Sequence, residues 1–323
     1  MRLKLVPQDT SWDFFRFAKV TFGASIVAMI ASIILFFVVG LNFGIDFRGG
    51  TTIRTESAQP VDVGAYRDAL DPLGLGDVSI TEVFDPSFGP DQHVTMIRIQ
   101  AQEGEESVTA ETVNAVQDTL RGAVDPAMAF PSVESVGPKV SGELIQTAVI
   151  AVLLSIGAVL FYIWLRFEWQ FSLGAVAALV HDIVLTIGVF SLLQIRFDLA
   201  TIAALLTIVG YSLNDTVVVF DRVRENLRKY KKLALKEVLN LSINETLSRT
   251  VMTSVTTLLA LISLFVLGGD VIRGFVFAMI WGVVVGTYSS VFVAGVILLR
   301  LGVKRDWSKP DGTAGTQFAN VDA

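Results

Sequence analysis

The residues that could do chemistry lie where lipid is expected. The stretch Leu199 to Arg222 reads LATIAALLTIVGYSLNDTVVVFDR and is apolar except for Asn214 and Asp215, six residues before its charged end at Asp221-Arg222. At ~1.5 Å of rise per residue, Asp215 would sit about 9 Å inside that end of a helix. A carboxylate at such depth costs roughly 2.5 kcal/mol or more on insertion, so it faces protein or water and takes a partner. Two readings follow: a buried Asp that ties helices together, or a proton or ion relay. Arg249, in the run NETLSRTVMTSVTT, opens a later apolar stretch. If the two stretches enter the membrane as antiparallel neighbours, carboxyl and guanidinium reach similar depth. The cation and the loss of water then act on the carboxyl in opposite senses, which makes its protonation sensitive to small movements. The alternative is a static ion pair at the interface.

His181-Asp182, near the middle of another apolar stretch, is a second relay candidate, or a pair that satisfies only itself. Asn214, Asp221 and Arg222 are further secondary candidates. Thr253 and Thr256 share a face with Arg249, beside Thr250, Ser254 and Thr257. Such hydroxyls pack helices together or hold a file of water. Gly282, Gly286, Ser290 and Ala294 recur every four residues and form a close-packing face, against a neighbour in this chain or in a partner. In GIDFRGGT, Gly44, Asp46, Gly49 and Gly50 mark a turn whose glycines reach backbone angles closed to other residues. The residues alone support only a strained turn that starts a strand.

Composition removes several function classes. With no Cys, thiolate metal sites and disulfides are excluded, and two histidines, His93 and His181, are too few for a histidine zinc site. No G-x-x-x-x-G-K-[ST] occurs, so nucleotide hydrolysis is not expected. No metal, no cofactor and no enzymatic activity are expected, and any work must draw on another energy source.

The elements that must position these residues are membrane helices. Hydrophobic residues make up 52% of 323, which points to several spans. Residues 1–19 read as a short N-terminal segment and 20–41 as an uncleaved first span, long enough for a ~30 Å hydrocarbon core. Residues 143–300 hold five more: Leu144–Trp164, Phe171–Leu193, Leu199–Phe220, Thr250–Leu267 and Phe275–Leu299. Between the first two spans, residues 42–142 are soluble in character, with sixteen acids against six bases from Asp46 to Lys139. Strand-like runs at 51–55, 78–84, 94–99 and 133–136 alternate with helical patterns at 61–70 and 110–124, with Asp62 and Thr109 as N-caps. The order β-α-β-β-α-β is ferredoxin-like. The fold class expected is therefore a six-span α-helical membrane protein with one small α+β ferredoxin-like extracytoplasmic domain.

Lys and Arg in short loops set orientation. The 222–249 loop carries eight basic residues against three acids. That places it, the N-terminus and the tail 301–323 on the cytoplasmic side, and 42–142 outside. Leu227, Tyr230, Ala234, Val238 and Leu241 recur at helical spacing, so an amphipathic helix near 224–244 at the membrane surface is expected, with a solvated connector as the alternative. The polar, glycine-containing tail is expected to be disordered.

Over nearly the whole chain, GIDFRGGT, VGYSLNDTVVVFDRVREN and NETLSRTVMTS resemble the SecF branch of the SecD/SecF family, within the resistance-nodulation-division superfamily of proton-driven membrane proteins. The resemblance implies a proton-motive-force-coupled accessory subunit of the Sec translocon in the bacterial inner membrane. It implies SecD as partner, the SecYEG channel and the SecA ATPase nearby with YajC or YidC, and a translocating preprotein as the thing moved. Lipid is the surroundings, and no nucleic acid is involved. It places Asp215 and Arg249 in the proton-linked site, with Asp221 and Arg222 adjoining, and gives Arg48 no role. The rivals are a proton-driven small-molecule exporter of the same superfamily and a structural membrane partner without ion coupling.

Overall fold

The computed structural model of the chain describes residues 10–86, 88–100 and 108–303. Most of the tail expected to be disordered therefore lies outside the described residues, as does the first half of the N-terminal segment.

Among the described residues, six helices are long and apolar enough to cross a membrane. They are α1 (Ala18–Val38), α5 (Pro138–Arg166), α6 (Trp169–Leu193), α7 (Leu199–Lys229), α8 (Leu235–Leu267) and α9 (Gly269–Ser289), the last continued through a π-helical stretch, Ser290–Ala294, into α10 (Gly295–Leu301). Helices α6, α7 and α9 form the inner set, and α1, α5 and α8 pack around them with most of their apolar surface open. Apolar residues on an outer helix face are normal when the solvent is lipid.

The domain between α1 and α5 opens with β1 (Asn42–Phe43) and the one-turn helix α2 (Ile45–Arg48). It continues as β2 (Gly50–Ser57), α3 (Val63–Leu70), β3 (Val78–Val83), β4 (His93–Gln100), α4 (Ala110–Ala123) and β5 (Ala129–Val136). The sheet order is β3-β4-β2-β5, antiparallel throughout, which is the ferredoxin-like arrangement of a β-α-β-β-α-β chain. Asp62 accepts from the N–H groups of Gly64 and Ala65, and Thr109 from that of Thr112, so both helices start on a side-chain cap. One sheet face buries Ile53, Ile97 and Ile99 against Tyr66, Leu70, Val116 and Leu120 of the two helices. The other face, with Arg54, Met96 and Arg98, looks toward the membrane helices across a cavity of about 650 Å³.

A second sheet zips the domain's root to the bundle. β1 pairs in parallel with β6 (Arg196–Phe197), the link between α6 and α7. Phe43, Phe47 and Phe197 meet edge-on or tilted at this joint.

The connection between α7 and α8 differs from expectation. No separate surface helix spans 224–244. Helix α7 runs unbroken to Lys229, the chain turns through 230–234, and α8 begins at Leu235. The apolar residues read as a lipid-facing stripe instead face each other, Leu227 of α7 packing in one core with Val238 and Leu239 of α8. Asn226 donates to Ser242 (3.0 Å) and Glu245 (2.6 Å), closing the hairpin with polar contacts. A turn with neither Gly nor Pro leaves no punctuation in the sequence, which is why one helix seemed to continue through it.

Candidate functional site

Asp215 sits halfway along α7, 3% exposed. Among the described residues, its Oδ2 has no hydrogen-bond partner. Arg249 stands on the neighbouring α8 at the same level, because Asp215 is fifteen residues before Tyr230 and Arg249 fifteen after Ala234, about 22 Å along each helix from the bend. Arg249 acts on the carboxyl through space, yet no contact ion pair forms between them among the described residues. The carboxyl turns into the bundle while Arg249 and Asn214 are exposed on its flank. The expected pair is thus brought near and left unlatched.

The hydroxyls beyond Arg249 divide between two uses. Ser254 bonds Thr287 of α9 at 2.7 Å, and Thr257 accepts from Tyr211 of α7 at 3.4 Å. Thr253 and Thr256 bond back to carbonyls of their own helix. Among the described residues, Thr250 Oγ1 is buried without a partner, as is Asp215 Oδ2.

Asp182 is fully buried on α6 and is the best-satisfied acid of the bundle core. Its Oδ2 accepts from Ser212 of α7 (2.6 Å) and Ser289 of α9 (2.8 Å), and its Oδ1 is 2.9 Å from Nδ1 of His181. The inner three helices meet on this one carboxyl. Among the described residues His181 Nε2 has no partner, and its ring stacks on Tyr288, whose hydroxyl donates to the Thr21 carbonyl of α1. Ser212 is three residues before Asp215, so one helical turn joins the two acids. The sequence reading named Asp182 and His181 but missed Ser212, Ser289 and Tyr288. Single hydroxyls in an apolar run give no signal until a buried acceptor is placed opposite them.

Gly282 and Gly286 face α7. A Cβ at Gly282 would come within 2.3 Å of Ile208, and one at Gly286 within 3.0 Å of Ser212. The close-packing face is thus used inside this chain, and it sets the spacing that lets Ser289 reach Asp182. The π-helical stretch follows directly, and such stretches are frequent at functional sites.

Asp221 and Arg222 lie elsewhere. Asp221 pairs with Arg166 of α5 (3.2 Å), and Arg222 with Glu245 of α8 (2.6 Å) and Glu225 (2.5 Å). Both belong to a charged network at the end of the bundle, away from Asp215.

At the opposite end, Gly49 (φ 74°) and Gly50 (φ 128°) have positive φ where α2 turns into β2, angles that a side chain would strain. Gly44 is extended; its N–H donates to the Phe197 carbonyl (2.8 Å), and a Cβ there would crowd Arg196. Asp46 Oδ2 accepts from the N–H of Leu199 (3.1 Å), and Asp198 caps Thr201. Two acids therefore sit at the N-terminus of α7, favourably placed on its dipole. The turn motif grips the N-terminal end of the helix that carries Asp215. In the neighbouring cavity, burial and the facing Arg196 push Arg98 down to about 10, with Asp198 opposing. It still carries its charge at neutral pH.

Comparison with known proteins follows the same two regions. Residues 115–304 match the family model described as protein export membrane protein SecD/SecF, C-terminal, and residues 34–61 match the SecD/SecF GG motif. A protein translocase subunit SecF from Cereibacter sphaeroides is 64% identical over 322 residues, covering 100% of this chain and 99% of that protein. One from Rhodobacter capsulatus is 64% identical over 316 residues, covering 96% and 95%. The crystal structure of SecDF, a translocon-associated membrane protein from Thermus thermophilus, superposes with a TM-score of 0.81 at 35% identity over 93% of this chain. This chain spans 40% of that one. From its GG turn to the end of its last membrane helix, the chain belongs to the SecD/SecF family of protein-export membrane proteins.

Proposed function

We propose that this chain is a proton-motive-force-coupled accessory subunit of the Sec translocon, working with SecD to assist preprotein export and making no covalent bond change of its own. The observation that carries the reading is the buried Asp215 carboxyl, with an unpartnered oxygen and an unlatched cation beside it. An ionisable group kept inside a membrane bundle at this cost is by default a functional one. Its helix is gripped at the outer end by the turn from which the soluble domain grows, so a change at the carboxyl has a mechanical route to that domain. One elementary charge crossing 100 mV supplies ~2.3 kcal/mol, which shifts a two-state equilibrium about fiftyfold. That suffices to bias a domain between two positions. The coupling ion is H⁺ in this reading.

SecD is the partner the reading requires, because the relatives of known structure are about twice as long and the Asn214–Arg249 flank is open. The SecYEG channel and SecA, with YajC or YidC nearby, complete the machinery, and the preprotein is the cargo. The basic α7–α8 hairpin supports a topology with both termini on the cytoplasmic side of the inner membrane and residues 42–142 in the periplasm.

The test is Asp215→Asn in the SecD-partnered complex, reconstituted with and without a proton gradient. Gradient-stimulated export should vanish while assembly and basal ATP-driven export persist. Full stimulation at normal protein levels would remove the reading. Altered small-molecule accumulation in its place would favour an exporter.

A further inference from the structure

We propose that Phe84 and Asp270 form a releasable latch that holds the soluble domain against α9, a second grip on the bundle besides the hold of the GG turn on α7. The two residues bond reciprocally. The Asp270 N–H donates to the Phe84 carbonyl (3.0 Å), and the Phe84 N–H donates to Asp270 Oδ2 (2.7 Å). Phe84 directly follows β3, and Asp270 lies in the first turn of α9. The turn between α8 and α9 is shaped for this contact. Gly269 has φ 71°, an angle that favours glycine, and a Cβ on it would lie 2.5 Å from Asp85 Oδ2. Phe84 and Asp85 thus sit directly on the turn that starts α9.

The same contact is built to open. The bond to Asp270 Oδ2 lies at the surface and Phe84 is itself exposed, so water can replace either partner and no buried group is stranded. Asp270 Oδ1 pairs with Arg273 on its own helix, so the carboxylate keeps a cation when Oδ2 lets go. Behind the latch, the 650 Å³ cavity separates walls whose ion pairs stay on their own side. Arg54 pairs with Glu56 on the sheet (3.6 Å), and Arg196 with Asp198 on the bundle (3.8 Å). Across the gap, Arg196 Nη1 meets the Met96 thioether at 3.7 Å, a weak acceptor. Release leaves the domain on its root, with β1 on β6 and Asp46 on α7. Helix α9 carries Gly282 and Gly286 onto α7 and Ser289 onto Asp182. A closed latch therefore ties the sheet to both α7 and α9, and an open one lets it swing about α7 alone. That the latch opens during export rests on the export reading above; that it holds the domain does not.

The chain has no cysteine, so spin labels can be placed on the full chain in nanodiscs at Asp118→Cys on α4 and Leu193→Cys at the end of α6, both exposed. Pulsed electron resonance would read the distance between them. Asp270→Ala should move the balance about tenfold from the closed toward a second, open population, the effect of losing a charged acceptor. Asp270→Asn keeps an oxygen for the Phe84 N–H and should stay nearer the parent. An Asp270→Ala distribution that matches the parent would overturn the proposal. These distances need no proton gradient, so their failure leaves the Asp215 reading untouched. Should the Ala variant fail to fold, the pair Phe84→Cys and Asp270→Cys, oxidised in the SecD-partnered complex, decides the matter. The bridge should abolish gradient-stimulated export until reductant is added, with basal ATP-driven export kept. Full stimulation with the bridge closed would make the contact a fixed anchor and overturn release.

Discussion

Two carboxyls one helical turn of hydrogen-bonded contact apart behave as opposites. Asp182 satisfies three donors from three directions, whereas Asp215 has an oxygen with none. The first is therefore expected to hold structure and the second to change state. Asp182→Ala would leave Ser212 and His181 without their acceptor, at roughly 1–3 kcal/mol for each buried donor stranded, while Ser289 keeps the Gly286 carbonyl (3.2 Å). Asp182→Asn keeps the shape and one acceptor oxygen, and should cost less. Thermal unfolding in detergent would rank wild type above Asn above Ala; no loss in the Ala variant would show the network to be incidental. At this scale the sequence was legible for charge and poor for partners. An Asp in an apolar run announces itself. Whether a given serine on another helix reaches it depends on helix rotation, which periodicity does not fix to the needed fraction of a turn.

Among the elements, the α7–α9 contact is the most tightly specified. Gly282→Ala puts a methyl into Ile208 Cγ1 at 2.3 Å and should cost about 1–3 kcal/mol by overpacking. Gly286→Ala meets Ser212 at 3.0 Å and should cost less. Gly210→Ala, on α7 with nothing within 4 Å of the added carbon, should be neutral or slightly stabilising through helix propensity. Reversal of that order in unfolding measurements would mean the helices are spaced differently in the membrane. In the soluble domain, Asp125 accepts from Ser57 Oγ (2.6 Å) and from the Ala127 N–H (2.8 Å), bonds that hold its carboxyl below the ordinary carboxylate range. Because the folded state favours the ionised form, this contribution is present above the unfolded value of about 3.9 and is lost as pH falls below it. Asp125→Asn should therefore flatten the acid limb of the domain's stability curve below about pH 4, and an unchanged limb would assign that sensitivity to other acids. The strands and capped helices of this domain were readable because alternation and N-caps are local. The α7–α8 hairpin was not, since Leu227 and Val238 have the same spacing whether they face lipid or each other.

For the whole molecule, the open flank decides what else must be present. Asn214, Arg249 and Thr256 are exposed on helices whose outward surface is largely apolar. Polar groups at that depth are costly against hydrocarbon and are expected to face protein or water. A second membrane chain covering the α7–α8 face would supply both, and could hold or release Arg249 as the carboxyl changes state. A photo-activated phenylalanine analogue at Asn214 should therefore give a cross-link to SecD in membranes. The same analogue at Leu154, 67% exposed on α5, should give lipid adducts only. The chain's lack of cysteine lets the adduct be confirmed by a cysteine introduced at Asn214, paired with one on the partner. Were SecD captured from Leu154 and never from Asn214, the polar flank would be left facing lipid or water, and the carboxyl beside it would have to work without a partner's help.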